Sequence, residues 1–355
     1  MNHTTIITSD KNWMESTAIA QFNALAALPG AVAAAALPDL HAGKTPVGVA
    51  LQTSGLLYPH LIGGDIGCGM ALFNTGLPLK KCNEKKWVAR LNNIRELADL
   101  PTQNPYGEPG PITDLGTLGG GNHFAEFQAV HEVLNQEAFA ALGLPQNGLA
   151  LLVHTGSRGY GQQIYNSLGP QTGLAAESGA AKAYLAQHQN ALLWAQRNRA
   201  MVAQKLLGHL GYQTQPQPLA DLCHNFIQQQ GSLFLHRKGV VSATQGLVVL
   251  PGSRGSLTYL LKPAQNTALS LWSLSHGAGR KWARSLCSGR IKAKYTKQSI
   301  RQTALKSKVV CHDTPLLYQE APEAYKNIQH VLNALLQHNL ATVVATLRPL
   351  ITYKG

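Results

Sequence analysis

The sequence Gly63-Gly64-Asp65-Ile66-Gly67-Cys68-Gly69 places a carboxylate and a thiol three residues apart among four glycines. In extended backbone the side chains of Asp65 and Cys68 face opposite sides of the chain. Glycine adopts the conformations of a tight turn without steric penalty, and such a turn points both side chains the same way. A carboxylate and a thiolate would then share one cation. The structural alternative stays open, because Asp often caps turns and a single Cys is more often a small buried apolar residue.

Three histidines further along the chain, His123, His154 and His224, are further candidate ligands. Gly119-Gly120-Gly121-Asn122-His123 disfavours a regular helix or strand and predicts a loop whose N–H groups can approach phosphate oxygens. The apolar run before His154 predicts a strand that ends at this histidine, with Ser157 and Arg158 following as partners for an oxyanion. His224 follows a long predicted helix, and an isolated histidine is more often structural than a ligand.

These residues form a mixed oxygen, sulfur and nitrogen donor set, sufficient for two metal ions if Cys68 bridges them: Asp65, Cys68, His123, His154 and His224. Thiolate and imidazole suit zinc at least as well as manganese. The donor set therefore predicts a dinuclear site without choosing its metal.

A further motif, Ser275-His276-Gly277-Ala278-Gly279-Arg280, is predicted to end a strand and open a basic helix. The helix N-terminus and Arg280 would supply positive potential for a phosphate, and His276 would lie where an imidazole can attack phosphorus. The alternative is a glycine-capped turn with a structural histidine. No Walker or Rossmann motif accompanies this segment.

Charge is unevenly distributed along the chain. Thirty Lys and Arg face 17 Asp and Glu, a formal net charge of +13. Between Asp221 and Asp313 there is no acidic residue, whereas that interval holds 14 basic ones. Such a field attracts polyanions and makes their binding weaken with salt. A solvated basic face without a partner is the alternative.

Composition and cysteine usage indicate an ordinary globular protein. Hydrophobic residues make up 45% of the 355 residues, yet no apolar run is long enough to span a membrane and no basic leader precedes an apolar stretch. Five cysteines without a CxxC pair argue against a disulfide framework and for a reducing compartment. We therefore expect a cytoplasmic protein without membrane association.

The chain shows no repeat and no interdomain linker, so we expect one domain over residues 1–355. Helices are predicted at Glu177–Leu210 and Glu323–His338. Strands are predicted at Val47–Leu51, Leu149–Val153, Leu233–His236, Leu247–Leu250, Thr267–Leu274 and Ala341–Leu347. Strands in irregular groups favour an α+β fold, with a β-sheet or sandwich core flanked by helices.

Eight segments, in order, resemble the RtcB family of RNA ligases. They are Leu37–Val49 (LPDLHAGKTPVGV), Gly64–Gly69 (GDIGCG), Leu115–Glu126 (LGTLGGGNHFAE), His154–Gly159 (HTGSRG), Leu250–Ser256 (LPGSRGS), His276–Arg280 (HGAGR), Glu320–Lys326 (EAPEAYK) and Lys354-Gly355. The resemblance implies two Mn²⁺ ions bound by Asp65, Cys68, His123, His154 and His224, with Cys68 bridging, and His276 as the guanylylated nucleophile. It also implies GTP contacts from Asn122, Glu126, Ser253, Ser256, Arg280, Tyr325 and Lys354. Near the site, Arg158, Lys281 and Arg284 are predicted to bind RNA.

The implied reaction consumes GTP and joins RNA carrying a 3'-phosphate or 2',3'-cyclic phosphate to RNA carrying a 5'-hydroxyl, in RNA repair or tRNA splicing. The chain is short, and it has Ala42 where the family usually has Pro. In both features it resembles a compact paralogue group associated with RNA repair and a release-factor-like partner. Two alternatives stay open at this point: an enzyme that guanylylates 3'-ends or opens cyclic phosphates without joining, and an inactive RNA-binding relative.

Overall fold

A computed structural model describes residues 3–101, 114–169 and 172–355. The strands in these ranges are β1 (His3–Ile6), β2 (Ala31–His41), β3 (Val47–Ser54), β4 (Leu56–Leu57), β5 (Gly69–Pro78), β6 (Phe124–Val133), β7 (Gly148–Thr155), β8 (Leu174–Ala175), β9 (Gln217–Cys223), β10 (Asn225–Gln230), β11 (Leu233–Lys238), β12 (Val240–Ser242), β13 (Val248–Pro251), β14 (Thr258–Pro263), β15 (Ser273–Ser275), β16 (Lys308–Cys311) and β17 (Ala341–Lys354). The α-helices are α1 (Ser16–Ala26), α2 (Pro59–Ile62), α3 (Glu84–Asn92), α4 (Gln136–Ala140), α5 (Arg158–Asn166), α6 (Gly179–His209), α7 (Arg284–Lys292), α8 (Thr314–Gln319) and α9 (Ile328–Gln337). None of the described helices is long and apolar enough to cross a bilayer.

Two large sheets form the core. One has eight strands in the order β13-β14-β17-β6-β7-β5-β9, with β16 paired to β17, and the other has five in the order β1-β2-β3-β11-β10. Strand β7 is buried along its whole length because it lies in the middle of the larger sheet. Helices flank the sheets, so the predicted α+β class with a sheet core is confirmed.

The long helix α6 lies against the larger sheet and confirms the helix predicted over residues 177–210. It begins after Ser178, whose hydroxyl accepts a hydrogen bond from the backbone N–H of Ala181 at 3.1 Å, a normal N-cap. Its buried face includes Trp194 and Val202. This face also carries polar residues that reach the site, as described below.

The structure corrects two predicted elements. The strand predicted at Thr267–Leu274 is a 3₁₀ turn, Ala268–Ser270, followed by two residues in left-handed backbone and the short β15. The helix predicted at Glu323–His338 begins only at Ile328, since the side chain of Asn327 caps it there by accepting from the N–H of Gln329. The residues before it form a 3₁₀ turn and an extended segment.

Candidate metal centre

The predicted ligands meet at one edge of the larger sheet. Four of the five lie at strand ends: Cys68 directly before β5, His123 before β6, His154 near the end of β7 and His224 directly after β9, whereas Asp65 lies in the turn before Cys68. The strand register aligns these ends, because Gly69 pairs with both Thr155 and Cys223. His224 thus follows a strand, and not the long helix directly as the sequence suggested.

The turn before β5 has the form that its glycines predicted. Gly67 has a φ of +71°, and the backbone N–H of Cys68 donates to the carbonyl oxygen of Asp65 at 3.2 Å. A Cβ on Gly67 would also lie 2.9 Å from the Cβ of Ala195 on α6, too close for a real contact. Glycine is therefore required at Gly67 both for the left-handed backbone and for the approach of the helix.

The five side chains form two overlapping triads, Asp65-Cys68-His123 and Cys68-His154-His224, in each of which the donor atoms lie within 4.8 Å of one another. The Sγ atom of Cys68 lies 3.4 Å from Nε2 of His123 and 3.3 Å from Nε2 of His154. Nε2 of His123 also lies 3.0 Å from Oδ2 of Asp65. Because Cys68 belongs to both triads, the geometry suits two cations that share one thiolate.

The protonation states of the site also suit cations. Burial opposes the charge on Asp65, but His123, Cys68 and Lys238 together outweigh it and hold the pKa of this carboxyl well below its usual range. Burial lowers the pKa of His154 and of His224, so both imidazoles are neutral at physiological pH, the form that can bind a metal ion. Burial and the charge of Asp65 raise the pKa of the Cys68 thiol. A bound cation would displace the thiol proton, as coordination requires.

Two buried ring nitrogens of the candidate ligands have no hydrogen-bond partner within the described chain. Nδ1 of His154 and Nδ1 of His224 have no hydrogen-bond partner among the described residues, although both rings are almost fully buried. A buried polar atom without a partner costs about 1–3 kcal/mol. In His154 the nitrogen that faces the thiol of Cys68 is Nε2, so the fit to divalent metal ions rests on the donor types of the two triads and not on these Nδ1 atoms.

A buried arginine on α6 fixes the loops that carry the ligands. Arg199 is 0% exposed, and its Nη1 donates to the carbonyl oxygens of Gly67 at 2.8 Å and Thr155 at 2.9 Å. Its Nε donates to Oδ1 of Asp221 on β9 at 2.7 Å. One guanidinium therefore connects three chain segments, at positions that lie one to three residues from a predicted ligand. Sequence reasoning missed Arg199, since its partners are remote in the chain.

We expect Arg199→Leu to destabilise the protein by about 3–5 kcal/mol, because it leaves the buried carboxylate of Asp221 without its counter-charge. Denaturant unfolding with and without manganese would measure the loss. The matched control is Arg95→Leu on the exposed surface, with an expected change within about 0.5 kcal/mol. Equal stability of the Arg199 variant and the control would contradict this assignment.

His276 directly follows β15 and lies beside the metal triads, with its ring centroid 4.5 Å from that of His224. Its Nδ1 is 2.7 Å from Oδ2 of Asp39, which also accepts from the His276 backbone N–H at 3.3 Å. Asp39 is fully buried at the end of β2. Asp39 had no predicted role, although an acidic residue in so apolar a strand was a usable signal.

The segment after His276 is not a helix, which corrects the prediction that this motif opens one. Arg280 forms a β-bridge with Tyr325, and the N–H groups of Lys281 and Trp282 both donate to the carbonyl oxygen of Ala324. These contacts keep the segment extended, so α7 begins only at Arg284. Positive potential near His276 therefore comes from side chains and not from a helix N-terminus.

A cavity of about 630 Å³ joins these groups. The predicted site residues that line it are Asp65, Cys68, Asn122, Glu126, His154, His224, Ser253, His276, Arg280, Lys281, Arg284, Tyr325 and Lys354. Three others do not line it. Nε2 of His123 lies 3.4 Å from Sγ of Cys68, and the hydroxyl of Ser256 is hydrogen-bonded to that of Ser253 at 3.0 Å. Nε of Arg158 donates to the hydroxyl of Thr117 at 3.4 Å.

A buried carboxylate, Glu320, organises one wall of the cavity and was also missed from the sequence. It accepts from Nη1 of Arg280 at 2.9 Å, from Nε of Arg284 at 3.1 Å and from the hydroxyl of Tyr325. Burial opposes its charge, but the nearby cations, Lys354 foremost, hold its pKa below the usual value. Nη2 of Arg284 also donates to Oδ1 of Asn122 at 3.2 Å, which links the two walls.

The opposite wall holds a buried carboxyl and a buried amine. Glu126 accepts from Nε2 of Gln128 at 2.7 Å and from the hydroxyl of Thr352 at 2.5 Å, and burial raises the pKa of Glu126 to about 7. Nζ of Lys354 donates to the carbonyl oxygen of His123 at 3.0 Å, and burial lowers the pKa of Lys354 to about 8. This wall offers an acceptor and a donor to a polar ligand.

The raised pKa of Glu126 predicts a pH-dependent stability. A carboxyl whose pKa is higher in the folded than in the unfolded state contributes stability that is present below the unfolded value and lost as pH rises through about 7. As the pH rises from 5.5 to 8.5, we expect the free energy of unfolding of Glu126→Gln to increase by about 2 kcal/mol relative to that of the wild type. Unfolding of both proteins at the two pH values, without ligands, would test this, and a pH-independent difference would contradict it.

Comparison with known proteins identifies the family of this chain. The sequence model of the family described as "tRNA-splicing ligase RtcB" matches residues 21–99 and 96–355. The chain therefore belongs to the RtcB family.

Three relatives show the range of similarity. "RNA-splicing ligase RtcB2" of Escherichia coli is 41% identical over 98% of this chain and 95% of its own. "tRNA-splicing ligase RtcB" of Archaeoglobus fulgidus is 27% identical over 96% and 92%, respectively. "RNA-splicing ligase RtcB" of Mycobacterium tuberculosis is 29% identical over 79% and 72%.

Proposed function

We propose that this protein is a GTP- and manganese-dependent RNA ligase that joins 3'-phosphate or 2',3'-cyclic phosphate ends to 5'-hydroxyl ends. One observation carries the proposal. Two donor triads that share Cys68 lie beside the same cavity as His276, whose Nδ1 is already engaged by Asp39. Membership of a family whose relatives are named as RNA-splicing ligases supports RNA as the substrate.

In this proposal the triads bind two Mn²⁺ ions, one between Asp65, Cys68 and His123 and the other between Cys68, His154 and His224. Bound cations would neutralise charge on the phosphate oxygens of the nucleotide and the RNA. The donor types alone also suit zinc. The choice of manganese rests on the family resemblance.

His276 is the proposed nucleophile. Its Nδ1 carries the ring proton, because the carboxylate of Asp39 is an acceptor at 2.7 Å, so Nε2 retains its lone pair. Nε2 attacks the α-phosphorus of GTP, an N–P bond forms, and the bond to the β-phosphate oxygen breaks with release of pyrophosphate. The product is a histidine guanylate.

Two transfers complete the proposed reaction. An oxygen of the RNA 3'-phosphate, formed where necessary by opening a cyclic phosphate, attacks the same phosphorus and the N–P bond breaks, which gives RNA-ppG. The 5'-hydroxyl of the second strand then attacks the RNA 3'-phosphate and displaces GMP.

The remaining cavity residues supply binding. We assign the guanine to Glu126, Lys354 and Tyr325, which come from both walls of the cavity, and the phosphates to Asn122, Arg280 and the loop of Ser253 and Ser256. Lys281 and Arg284, which line the cavity, and Arg158 nearby are proposed to bind RNA. The 14 basic residues between Asp221 and Asp313 extend this positive field.

The proposal is tested with synthetic RNAs of defined ends, manganese and α-labelled GTP. We expect a covalent protein label, RNA-ppG and joined product from the wild type, and none of these from His276→Ala. His131→Ala, an exposed histidine on β6, is the matched control and keeps all three. An unlabelled wild type, or a label that survives His276→Ala, refutes the proposal.

The same gel separates the related activities. RNA-ppG without joined product would identify an end-modifying enzyme, and a protein that takes up no metal and no label would be an inactive RNA-binding relative. The compact chain further leads us to propose RNA repair with a release-factor-like partner. Comparison of joining rates for tRNA halves and nicked ribosomal RNA, with and without that partner, tests this part separately.

A further inference from the structure

An imidazole outside the metal triads also lines the cavity that holds His276. His41 is the last residue of β2, is half-buried and lines the same cavity. It belongs neither to the metal triads nor to the groups proposed to bind GTP. His41 is thus an imidazole at the cavity to which the proposed function assigns no role.

The hydrogen bond of His41 fixes its tautomer. Nδ1 of His41 lies 2.8 Å from the backbone carbonyl oxygen of Asp39. A carbonyl oxygen only accepts, so Nδ1 carries the proton and Nε2 carries the lone pair. Within the described chain no hydrogen bond to Nε2 is found. Nε2 is therefore a free basic nitrogen on a side chain that borders the cavity.

Asp39 positions both imidazoles, His276 through its carboxylate and His41 through its carbonyl oxygen. The backbone on either side is held by Lys326, whose Nζ donates to the carbonyl oxygens of Pro38 at 3.1 Å and Leu40 at 2.6 Å. Asp39 therefore fixes the rings of His41 and His276 relative to the same backbone segment.

The groups around His41 keep it in its basic form. Burial lowers the pKa of His41 to about 4, and the neighbouring His276 and Lys326 act in the same direction against the opposing effect of Asp39. At physiological pH the ring is therefore neutral and its Nε2 is open to a proton, and the low pKa makes it a weaker base than a free imidazole.

The proposed reaction contains a step that needs such a base. Attack by His276 on GTP releases no proton, because the attacking Nε2 carries none. The 5'-hydroxyl, in contrast, must lose its proton as it attacks. A positioned imidazole that accepts this proton contributes about 10²–10⁴-fold to such a step.

We propose that Nε2 of His41 is the general base of the sealing step, an inference that rests on the proposed function. It accepts the proton of the 5'-hydroxyl as that oxygen forms its bond to the RNA 3'-phosphorus. The bond from that phosphorus to the bridging oxygen breaks, and GMP leaves with the electron pair. The imidazolium then returns its proton to water.

The test separates sealing from guanylylation. Pre-formed RNA-ppG is joined to 5'-hydroxyl RNA in single turnover, and His276 labelling by α-labelled GTP is measured on the same protein. For His41→Gln, which keeps a polar group that takes no proton, we expect sealing to fall about 100-fold while guanylylation changes by less than about fivefold. His131→Gln is the matched control, and thermal unfolding monitors the fold.

A second variant distinguishes a base from a structural residue. Added imidazole should restore part of the sealing rate of His41→Ala without a comparable gain for the wild type, since a diffusible base replaces only a proton acceptor. Sealing by His41→Gln at the wild-type rate, or equal losses in both steps without rescue, overturns the inference. Failure of the wild type to label His276 would instead refute the proposed function.

Discussion

Cys68→Ala is expected to remove both metal ions from the protein and to abolish guanylylation. Cys68 is the one residue common to the two triads, and its Sγ lies within 3.4 Å of a histidine nitrogen in each. Without it each cation keeps two side-chain donors and loses the shared thiolate that holds both ions. Metal content after dialysis against manganese should fall from about two ions per chain to near zero.

Two controls sharpen this result. His224→Ala removes a ligand from one triad only, so about one ion should remain. Cys82→Ala removes a half-buried thiol that does not line the cavity and should keep both ions. A Cys68→Ala protein that binds two ions would show that no thiolate bridge exists.

Asp39→Asn is expected to reduce guanylylation of His276 by about 10⁴-fold, the loss seen when an amide replaces the carboxylate that orients a catalytic histidine. The amide of asparagine can donate to Nδ1, which places the ring proton on Nε2 and removes the lone pair needed for attack on phosphorus. Single-turnover incorporation of α-labelled GMP measures the effect.

Metal content is the control for this variant. Within the described chain the carboxylate of Asp39 forms hydrogen bonds with His276 and with none of the triad residues, so two ions should remain bound. Asp10→Asn, an exposed aspartate near the N-terminus, should label at the wild-type rate. Normal labelling by Asp39→Asn would mean that the tautomer of His276 is set by another group.

Local sequence signals predicted much of the site. The glycines around Asp65 and Cys68 predicted a tight turn because only glycine adopts the left-handed backbone found at Gly67 without strain. The apolar run before His154 predicted a buried strand, which β7 confirms. In both segments, neighbours in sequence determine the conformation.

Predictions failed where tertiary contacts decide the backbone. Residues 267–274 have the composition of a strand, but Leu271 and Trp272 adopt φ of 52° and 49° because the turn closes on the carbonyl oxygen of Thr267. The segment after His276 has glycines typical of a helix start, yet pairing of Arg280 with Tyr325 keeps it extended. Neither contact is visible in a local pattern.

The residues that orient the site were missed for the same reason. Asp39 and His276 are 237 positions apart, and Arg199 and Gly67 are 132 apart. Sequence identifies side chains that can bind metal or attack phosphorus, whereas the partners that fix their tautomers and positions come from distant segments. The role of Glu320 likewise appears only when Arg280, Arg284 and Tyr325 meet in the fold.

The most direct test of the central claim is an anomalous difference map, recorded at the manganese absorption edge, of crystals grown with manganese. The account predicts two peaks, one among Asp65, Cys68 and His123 and one among Cys68, His154 and His224, with the sulfur of Cys68 in contact with both. A single peak, or manganese bound away from Cys68, would contradict the dinuclear centre on which the proposed chemistry depends.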